Sequence, residues 1–243
     1  MNSWKDNVYF ILVEPKEGGN IGASARAIKN MGFKNLVLIN PKNFPSNEAV
    51  WLSANASDVL DNAVLYPSFK DSIMDKSLVA AASRRTGKRR GLIVDIKEGA
   101  KRIAETAQNN KTAIVFGRES RGLFNEEVDE CGLLIRIPTS ALDPSLNLSQ
   151  AVLLCAYELS MTGHNAVSAK SSTHEEIDIL LKRAEDILKL LEYIPRGDLN
   201  LQESIMRNLK HLSLRAGITE WELKMMHGIL SRIEENITKK SDR

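Results

Sequence analysis

The stretch that decides the fold is Ile135-Arg-Ile-Pro-Thr-Ser-Ala-Leu-Asp-Pro-Ser-Leu-Asn-Leu-Ser-Gln-Ala-Val152. A hydrophobic strand ends at Pro138, a polar loop follows, and Asn147 opens an apolar helix. We expect this loop to place free backbone N–H groups, the Ser145 hydroxyl and the Asn147 amide at the carboxyl edge of a strand. Ligands of α/β proteins usually bind at this edge. The stretch therefore predicts a ligand site together with a strand–loop–helix unit.

Short apolar runs, of which this strand is the last, recur along the chain. Continuous apolar runs are typical of strands that are buried on both faces of a sheet, and here they occupy residues 8–13, 35–39, 77–82, 112–116 and 133–137. Helix-like segments lie between or after them, at 21–31, 96–107 and 147–161. Strands that alternate with helices predict an α/β fold with a parallel sheet.

The composition changes after this α/β region, which we assign to residues 1–162. Residues 163–174 are polar, rich in small side chains and without periodicity, as is typical of a linker. Residues 175–243 predict a small helical domain, with helices over 175–193, 201–213 and 219–237. Thr173 with Glu176, and Thr219 with Glu222, have the spacing of capping boxes at two helix starts.

The overall composition is that of an ordinary globular protein. Of the 243 residues, 43% are hydrophobic and 26% are charged. The net charge of +2 is almost neutral, so any surface that binds nucleic acid must be a local patch of positive charge. The N-terminal residues lack a signal-peptide pattern, and no apolar run approaches the ~20 residues that span a bilayer. We therefore expect a cytoplasmic protein, with Cys131 and Cys155 as buried free thiols.

A second candidate ligand-binding segment is Glu14-Pro-Lys-Glu-Gly-Gly-Asn-Ile-Gly-Ala-Ser-Ala-Arg-Ala-Ile-Lys-Asn-Met-Gly32. A strand runs into a glycine-bearing turn and then into a helix that starts near Asn20. Such a turn exposes N–H groups at a helix N-terminus, which suits an anion. A purely structural connection has the same pattern. The glycine spacing does not fit the dinucleotide or P-loop fingerprints, which disfavours a dehydrogenase or an NTPase.

Two further segments follow predicted strands. Ile114-Val-Phe-Gly-Arg-Glu-Ser-Arg-Gly-Leu-Phe-Asn-Glu-Glu127 places glycines after a strand, where they permit a ligand to approach the backbone, although a structural turn explains Gly122 equally well. Arg84-Arg-Thr-Gly-Lys-Arg-Arg90 holds five positive charges in seven residues. Such a run is usually a solvated loop, but this one leaves the same sheet edge as the other motifs, so we favour phosphate contact.

The sequence predicts neither a metal site nor a catalytic triad. The four histidines, at positions 164, 174, 211 and 227, lie in the linker and the predicted helices, without a cysteine or carboxylate at metal-ligand spacing. A Ser/His/Asp set is also unsupported, because the predicted α/β region contains no histidine.

In this order and with these separations, the three segments resemble the signatures of the SpoU/TrmH branch of the SPOUT RNA methyltransferases. The resemblance implies a sheet whose C-terminal part forms a trefoil knot, a feature that most folds lack. It also implies S-adenosylmethionine as cofactor and a ribose 2′-oxygen as methyl acceptor. The C-terminal stretches 206–220 and 228–234 resemble the helical extension of the TrmJ group, whose members are homodimers that methylate nucleotide 32 (cytidine or uridine) in the tRNA anticodon loop.

The resemblance also assigns roles to individual residues. The expected cofactor-binding residues lie in three loops and are Ala82, Ser83, Arg84, Gly117, Ile137, Pro144, Ser145 and Leu146. The expected catalytic residues are Asn20, Arg26, Glu119, Ser145 and Asn147. The expected RNA-binding residues are Arg26, Arg85, Lys88 and Arg89.

The chemistry of methyl transfer limits what these residues can do. The enzyme must align oxygen, carbon and sulfur, and must help a proton leave a hydroxyl of high pKa. Since a guanidinium does not deprotonate in proteins, we expect Arg26 to hold the target phosphate and polarise the hydroxyl. Ser145 and Asn147 would orient the ribose and the cofactor, and Glu119 would fix the loops.

Several alternatives stay open from the sequence. The apolar helix 147–161 fits either a two-fold interface or deep burial within one chain. The resemblance favours the dimer and allows Arg26 to serve the partner's cofactor pocket. The substrate could be another tRNA position or rRNA, although rRNA-acting members usually carry N-terminal extensions. A non-catalytic RNA-binding protein is the alternative outside the enzyme class.

Overall fold

The computed structural model describes residues 3–83, 92–140, 145–162, 169–193 and 199–241. These residues contain one parallel sheet of seven strands in the order β3-β2-β1-β6-β4-β7-β5. The strands are Val8–Val13 (β1), Asn35–Ile39 (β2), Val64–Tyr66 (β3), Leu78–Ala82 (β4), Ile93–Asp95 (β5), Thr112–Phe116 (β6) and Leu133–Arg136 (β7).

The central strands are buried on both faces, as their continuous apolar sequences require. In the register of β1, β6 and β4, Phe10 lies opposite Ile114, and Ile114 lies opposite Ala80. These three side chains belong to a core on one face of the sheet. The intervening residues, such as Ile11 and Val115, belong to a second core on the other face. The sheet is therefore the middle layer of a three-layer α/β/α arrangement.

Seven helices accompany the sheet in the described part of residues 3–162, which omits 84–91 and 141–144. They are Gly18–Asn30 (α1), Asn47–Ser53 (α2), Ser57–Asp61 (α3), Phe69–Ile73 (α4), Ile96–Ala107 (α5), Asn125–Asp129 (α6) and Leu148–Met161 (α7), with short 3-10 helices at Trp4–Asn7 and Ala54–Ala56. Helices α1, α5 and α7 contribute to the first core, while α4 and α6 contribute to the second. Helix α1 packs between α2 and α7.

The C-terminal helices are His174–Leu190 (α8), Leu199–Ala216 (α9) and Glu220–Ser241 (α10). They dock at the amino ends of β4 and β7. Gly132, just before β7, lies so close to α9 that a Cβ atom there would stand 2.7 Å from the Leu214 carbonyl oxygen. The N–H of His174 donates to the Lys76 carbonyl oxygen at 2.8 Å. The helical segment is thus held at the sheet edge opposite to the carboxyl ends of β4 and β7.

A cluster of charged side chains ties α8 and α9 to the α/β region. Glu130 Oε2 lies 2.7 Å from Nε2 of the buried His174 and 2.6 Å from Lys210 Nζ. Lys210 also contacts Asp178 at 3.0 Å, and Asp178 contacts Lys70 at 2.9 Å. Glu130, His174 and Asp178 come close enough together to hold a cation. The ammonium of Lys210 already bridges the two carboxylates. The sequence does not predict this grouping, because its members are distant along the chain.

Most predicted elements are confirmed. Strands β1, β2 and β6 and helix α5 have the predicted bounds, and the capping boxes at Thr173 and Thr219 are present. Helix α8 begins at His174, inside the predicted linker. The described part of that linker, 169–173, is held by specific bonds, including Ser172 N–H to the Ile218 carbonyl oxygen at 2.7 Å. The described helices include none that is long and apolar enough to cross a membrane.

Candidate active site at the carboxyl edge of the sheet

A cavity opens at the carboxyl ends of β4, β6 and β7. Seven of the residues predicted to bind cofactor or to act in catalysis line it, namely Ala82, Ser83, Gly117, Glu119, Ile137, Ser145 and Leu146. Its wall also contains residues that the sequence did not single out, including Phe116, Ser120, Arg121, Thr139, Leu148 and Ala151. Two predicted cofactor-binding residues, Arg84 and Pro144, lie outside the described residues, as do the predicted RNA-binding residues Arg85, Lys88 and Arg89.

The loop after β6 has a shape that only glycine permits at two positions. Arg118 and Gly122 form an antiparallel bridge with N–H···O distances of 3.2 and 2.8 Å, which folds residues 118–122 into a tight turn. Gly122 has a φ of +67°, a left-handed value that favours glycine. A Cβ atom on Gly117 would lie 2.3 Å from the Gly122 carbonyl carbon. The predicted functional role of Gly117 therefore coincides with a strict packing requirement.

The carboxylate of Glu119 connects two of the predicted motifs. Its Oε1 atom accepts hydrogen bonds from the backbone N–H of Lys16 at 3.1 Å and from Asn20 Nδ2 at 3.1 Å. The N–H of Glu17 is 3.5 Å from the same oxygen. These donors belong to the turn before α1 and to its first residues, so Glu119 holds the N-terminus of α1 against the loop after β6.

Asn147 extends this connection to the third motif. Its Nδ2 donates to Asn20 Oδ1 at 2.9 Å, while its Oδ1 accepts from the N–H of Ser149 at 2.9 Å and so caps α7. Glu119, Asn20 and Asn147 therefore form a continuous hydrogen-bonded chain, although 99 and 127 positions separate the bonded pairs. The fold brings together three residues that the motif comparison placed in one site.

Arg26 lies elsewhere within the same chain. It is on α1, six residues after Asn20, which corresponds to a rotation of about 240° around the helix axis. Its side chain is exposed, and it is absent from the lining of the cavity. In a single chain, the predicted catalytic arginine thus faces away from the predicted cofactor pocket.

The two cysteines take no part in this site. Both are free and buried, as predicted. Burial raises the pKa of the Cys155 thiol to about 12 and raises that of Cys131 still further above its ordinary value. Neither thiol is therefore ionised near neutral pH.

Comparison with known proteins assigns the chain to a family. The sequence model of the SpoU rRNA Methylase family matches residues 7–157, which include all three motifs and the cavity. The chain belongs to the SpoU methylase family. That match agrees with the resemblance inferred from the motifs.

Two relatives within the SpoU family match nearly the whole chain. The tRNA (cytidine/uridine-2′-O-)-methyltransferase TrmJ of Pectobacterium atrosepticum is 33% identical over 95% of this chain and 98% of its own length. The tRNA (cytidine-2′-O-)-methyltransferase TrmJ of Methanocaldococcus jannaschii is 36% identical over 88% and 95%. The similarity therefore includes the helical segment beyond the SpoU match.

A solved structure of the same type agrees. The crystal structure of TrmJ from Z. mobilis superposes with a TM-score of 0.78 at 28% identity, and the match covers 93% of this chain and 98% of that one. The arrangement of the parallel sheet with its C-terminal helices is thus shared with a TrmJ protein.

Proposed function

We propose that this protein uses S-adenosylmethionine to methylate the ribose 2′-hydroxyl of nucleotide 32, cytidine or uridine, in the tRNA anticodon loop. The observation that carries the proposal is the hydrogen-bonded chain of Glu119, Asn20 and Asn147 beside a cavity at the carboxyl edge of the sheet. Similarity to TrmJ enzymes over nearly the full length supports the substrate. A cytoplasmic location agrees with this role.

The cavity fits S-adenosylmethionine in its chemistry. It combines apolar walls from Phe116, Leu148 and Ala151 with exposed polar groups, and the packing around Gly117 excludes any side chain larger than hydrogen at that position. Such a mixture suits a ligand with a flat ring and several polar edges. The residues that we assign to cofactor binding are Ala82, Ser83, Arg84, Gly117, Ile137, Pro144, Ser145 and Leu146. When bound, the cofactor supplies a methyl group already activated on a sulfonium.

The protein's own residues would then orient the acceptor. We assign to Ser145 and Asn147 the positioning of the ribose, because Ser145 lines the cavity and Asn147, two residues further on, caps α7. Glu119 fixes the loops through its backbone donors rather than by touching substrate. Arg26 clamps the phosphate of the target nucleotide and polarises its 2′-hydroxyl. Arg85, Lys88 and Arg89 extend the phosphate contacts.

We propose that the working form is a homodimer in which Arg26 completes the partner's site. Helix α7 keeps several large apolar side chains exposed, with Tyr157 at 46% and Met161 at 67%. This helix packs against α1, which carries Arg26 on an exposed face. An interface over α1 and α7 would cover the apolar surface and take Arg26 to a second cavity by two-fold symmetry.

A mixed-dimer experiment separates this arrangement from action within one chain. Arg26→Ala and Asn147→Ala proteins, each of which we expect to be inactive alone, are unfolded together, refolded and assayed. If Arg26 acts on the partner, each heterodimer contains one intact site, and random mixing restores about a quarter of wild-type activity. If Arg26 acts on its own chain, the mixture stays inactive.

The proposed organisation has a methyltransferase domain (1–162), a connection (163–174) and a helical domain (175–243). The trefoil knot is part of the proposal. Its support is topological: β7 lies between β4 and β5, so the chain that follows β6 inserts between two strands joined by residues 83–92. The helical domain sits at the opposite sheet edge from the cavity, so we assign it to tRNA contacts remote from the target nucleotide.

Incubation with unmodified tRNA and S-adenosylmethionine tests the function. Digestion and mass spectrometry should detect 2′-O-methylcytidine or 2′-O-methyluridine at nucleotide 32, and Arg26→Ala should abolish it. Methylation of another tRNA nucleotide, or of rRNA, would instead indicate a SpoU-type ribose methyltransferase with a different RNA target. Binding of tRNA without cofactor affinity would identify a non-catalytic RNA-binding protein.

A further inference from the structure

Arg118 is a buried charged residue in the loop after β6, which lines the cavity. Its side chain is 8% exposed. The guanidinium Nη1 donates to Glu127 Oε2 at 3.0 Å, and Nη2 donates to Glu127 Oε1 at 2.9 Å and to Glu14 Oε1 at 2.7 Å. Two carboxylates from different elements therefore converge on one cation.

This arrangement joins three parts of the fold. Glu14 follows β1, Glu127 lies in α6, and Arg118 itself belongs to the loop after β6. Nη1 is also 3.4 Å from the Gly122 carbonyl oxygen, on the far side of the turn. The Phe124 ring covers the guanidinium, with its centroid 4.0 Å from Cζ. The side chain thus fixes both the shape of the turn and its place against β1 and α6.

The adjacent residues Arg118 and Glu119 bind different partners. Glu119 holds the start of α1 and, through Asn20, reaches Asn147. Arg118 holds the loop itself from the other side. Residues 117–123 line the cavity, and the guanidinium of Arg118 holds this loop through Glu127, Glu14 and the Gly122 carbonyl oxygen. The shape of this part of the cavity wall therefore depends on Arg118.

The ion pairs of Arg118 with Glu14 and Glu127 have the features of strong electrostatic contacts. The hydrogen bond from Arg118 holds the pKa of the Glu14 carboxyl below its ordinary value. A bidentate guanidinium–carboxylate pair that is shielded from water is both directional and strong. Removal of the cation would leave Glu127, which is largely buried, without its counter-charge.

We propose that Arg118 is a positioning residue that holds the loop 117–123 in the conformation that binds S-adenosylmethionine. The inference rests on the proposed function. It predicts that loss of Arg118 weakens cofactor binding specifically, while the tRNA surface formed by other elements is retained.

The experiment compares Arg118→Met and Arg118→Lys with wild type and with Arg102→Met. The control, Arg102, forms a half-exposed pair with Glu98 on α5, outside the cavity. Calorimetry gives the Kd for S-adenosylmethionine, filter binding gives the Kd for tRNA, and hydrogen exchange reports the Gly122 amide. We expect Arg118→Met to raise the cofactor Kd at least tenfold and Arg118→Lys to raise it less, since lysine keeps the charge but loses the bidentate geometry. Exchange at Gly122 should accelerate in both, and tRNA binding should stay within about twofold of wild type.

The outcomes are distinguishable. If wild type fails to bind S-adenosylmethionine, the proposed function is wrong. If wild type binds and a folded Arg118→Met protein binds equally well, the positioning role is wrong. If Arg118→Met does not fold, Arg118→Lys decides, and wild-type cofactor affinity in that variant with unchanged exchange at Gly122 overturns the inference.

Discussion

Replacement of Gly117 by alanine tests whether the turn after β6 forms the cofactor site. The new Cβ would lie 2.3 Å from the Gly122 carbonyl carbon and 2.4 Å from the Leu123 nitrogen. Carbon atoms in contact prefer about 3.5 Å, so the two sides of the turn must separate by about 1 Å. Both neighbours are backbone atoms, which have no alternative rotamer. The 2.8 and 3.2 Å bonds between Arg118 and Gly122 would therefore be lost or distorted.

A displacement of that size at a reacting centre can reduce the rate by about 100-fold, which is about 2.7 kcal/mol in transition-state stabilisation. We expect Gly117→Ala to lose about this much in kcat/KM for S-adenosylmethionine at saturating tRNA. The assay is transfer of labelled methyl to unmodified tRNA, with cofactor affinity measured in parallel.

Two other glycines provide matched controls. A Cβ on Gly228, in α10, meets no atom within 4 Å, so Gly228→Ala should leave activity unchanged and stabilise the helix by about 0.5–1 kcal/mol. Gly122 also has free space but a φ of +67°, so Gly122→Ala should cost about 1–2 kcal/mol through backbone strain. If Gly117→Ala methylates tRNA within about threefold of the Gly228→Ala protein, the close packing of this turn is not required for cofactor binding.

Three further substitutions test the connections between motifs. Glu119→Gln removes the carboxylate charge and places an NH2 group at the position of Oε2, which accepts from the Lys16 N–H at 3.3 Å, so kcat/KM should fall by about 10- to 100-fold, as expected for loss of a charged hydrogen bond; an unchanged value would show that the site does not require the charge of Glu119. Asn147→Ala removes the α7 cap and should lower the melting temperature by about 2–4 °C in addition to its effect on activity; an unchanged melting temperature would argue against the cap. Burial by itself would raise the pKa of Glu130, but bonds to His174 and Lys210 hold it below its ordinary value of 4.5. The contribution of the Glu130 carboxylate to folding stability is therefore complete above pH 4.5 and is lost as the pH falls through the lowered pKa. In urea denaturation, Glu130→Gln should lose less stability than wild type between pH 7 and about pH 3.5. An equal loss in the two proteins would contradict this assignment.

The sequence was sufficient to predict the interior of the sheet. Runs such as 8–13 and 113–116 are hydrophobic throughout and rich in residues that favour strands, so local composition alone predicts them. The three-residue strands β3 and β5 were missed because they lie at the sheet edges and are partly exposed, with patterns too short for periodicity. Their strand conformation comes from pairing with β2 and β7 rather than from local preference.

The site was predictable only in part. Motif resemblance identified Asn20, Glu119 and Asn147, but their contacts join positions about a hundred residues apart and follow from the fold alone. Arg118 lay within the second motif, but its role in holding the loop could not be predicted, because its partners Glu14 and Glu127 are ordinary acidic residues until the structure encloses them. That Arg26 is exposed and faces away from the cavity follows from its position around the axis of α1, which the motif alone does not show.

The chemical claim depends on one hydroxyl group, and a substrate that lacks it gives the most direct test. Two tRNA preparations are compared that differ only by a 2′-deoxy sugar at nucleotide 32, with labelled S-adenosylmethionine as methyl donor. We predict transfer to the normal tRNA and none to the deoxy tRNA, while both compete equally for the protein. Equal transfer to both would place the methyl group on a base or on another ribose and would contradict the assignment.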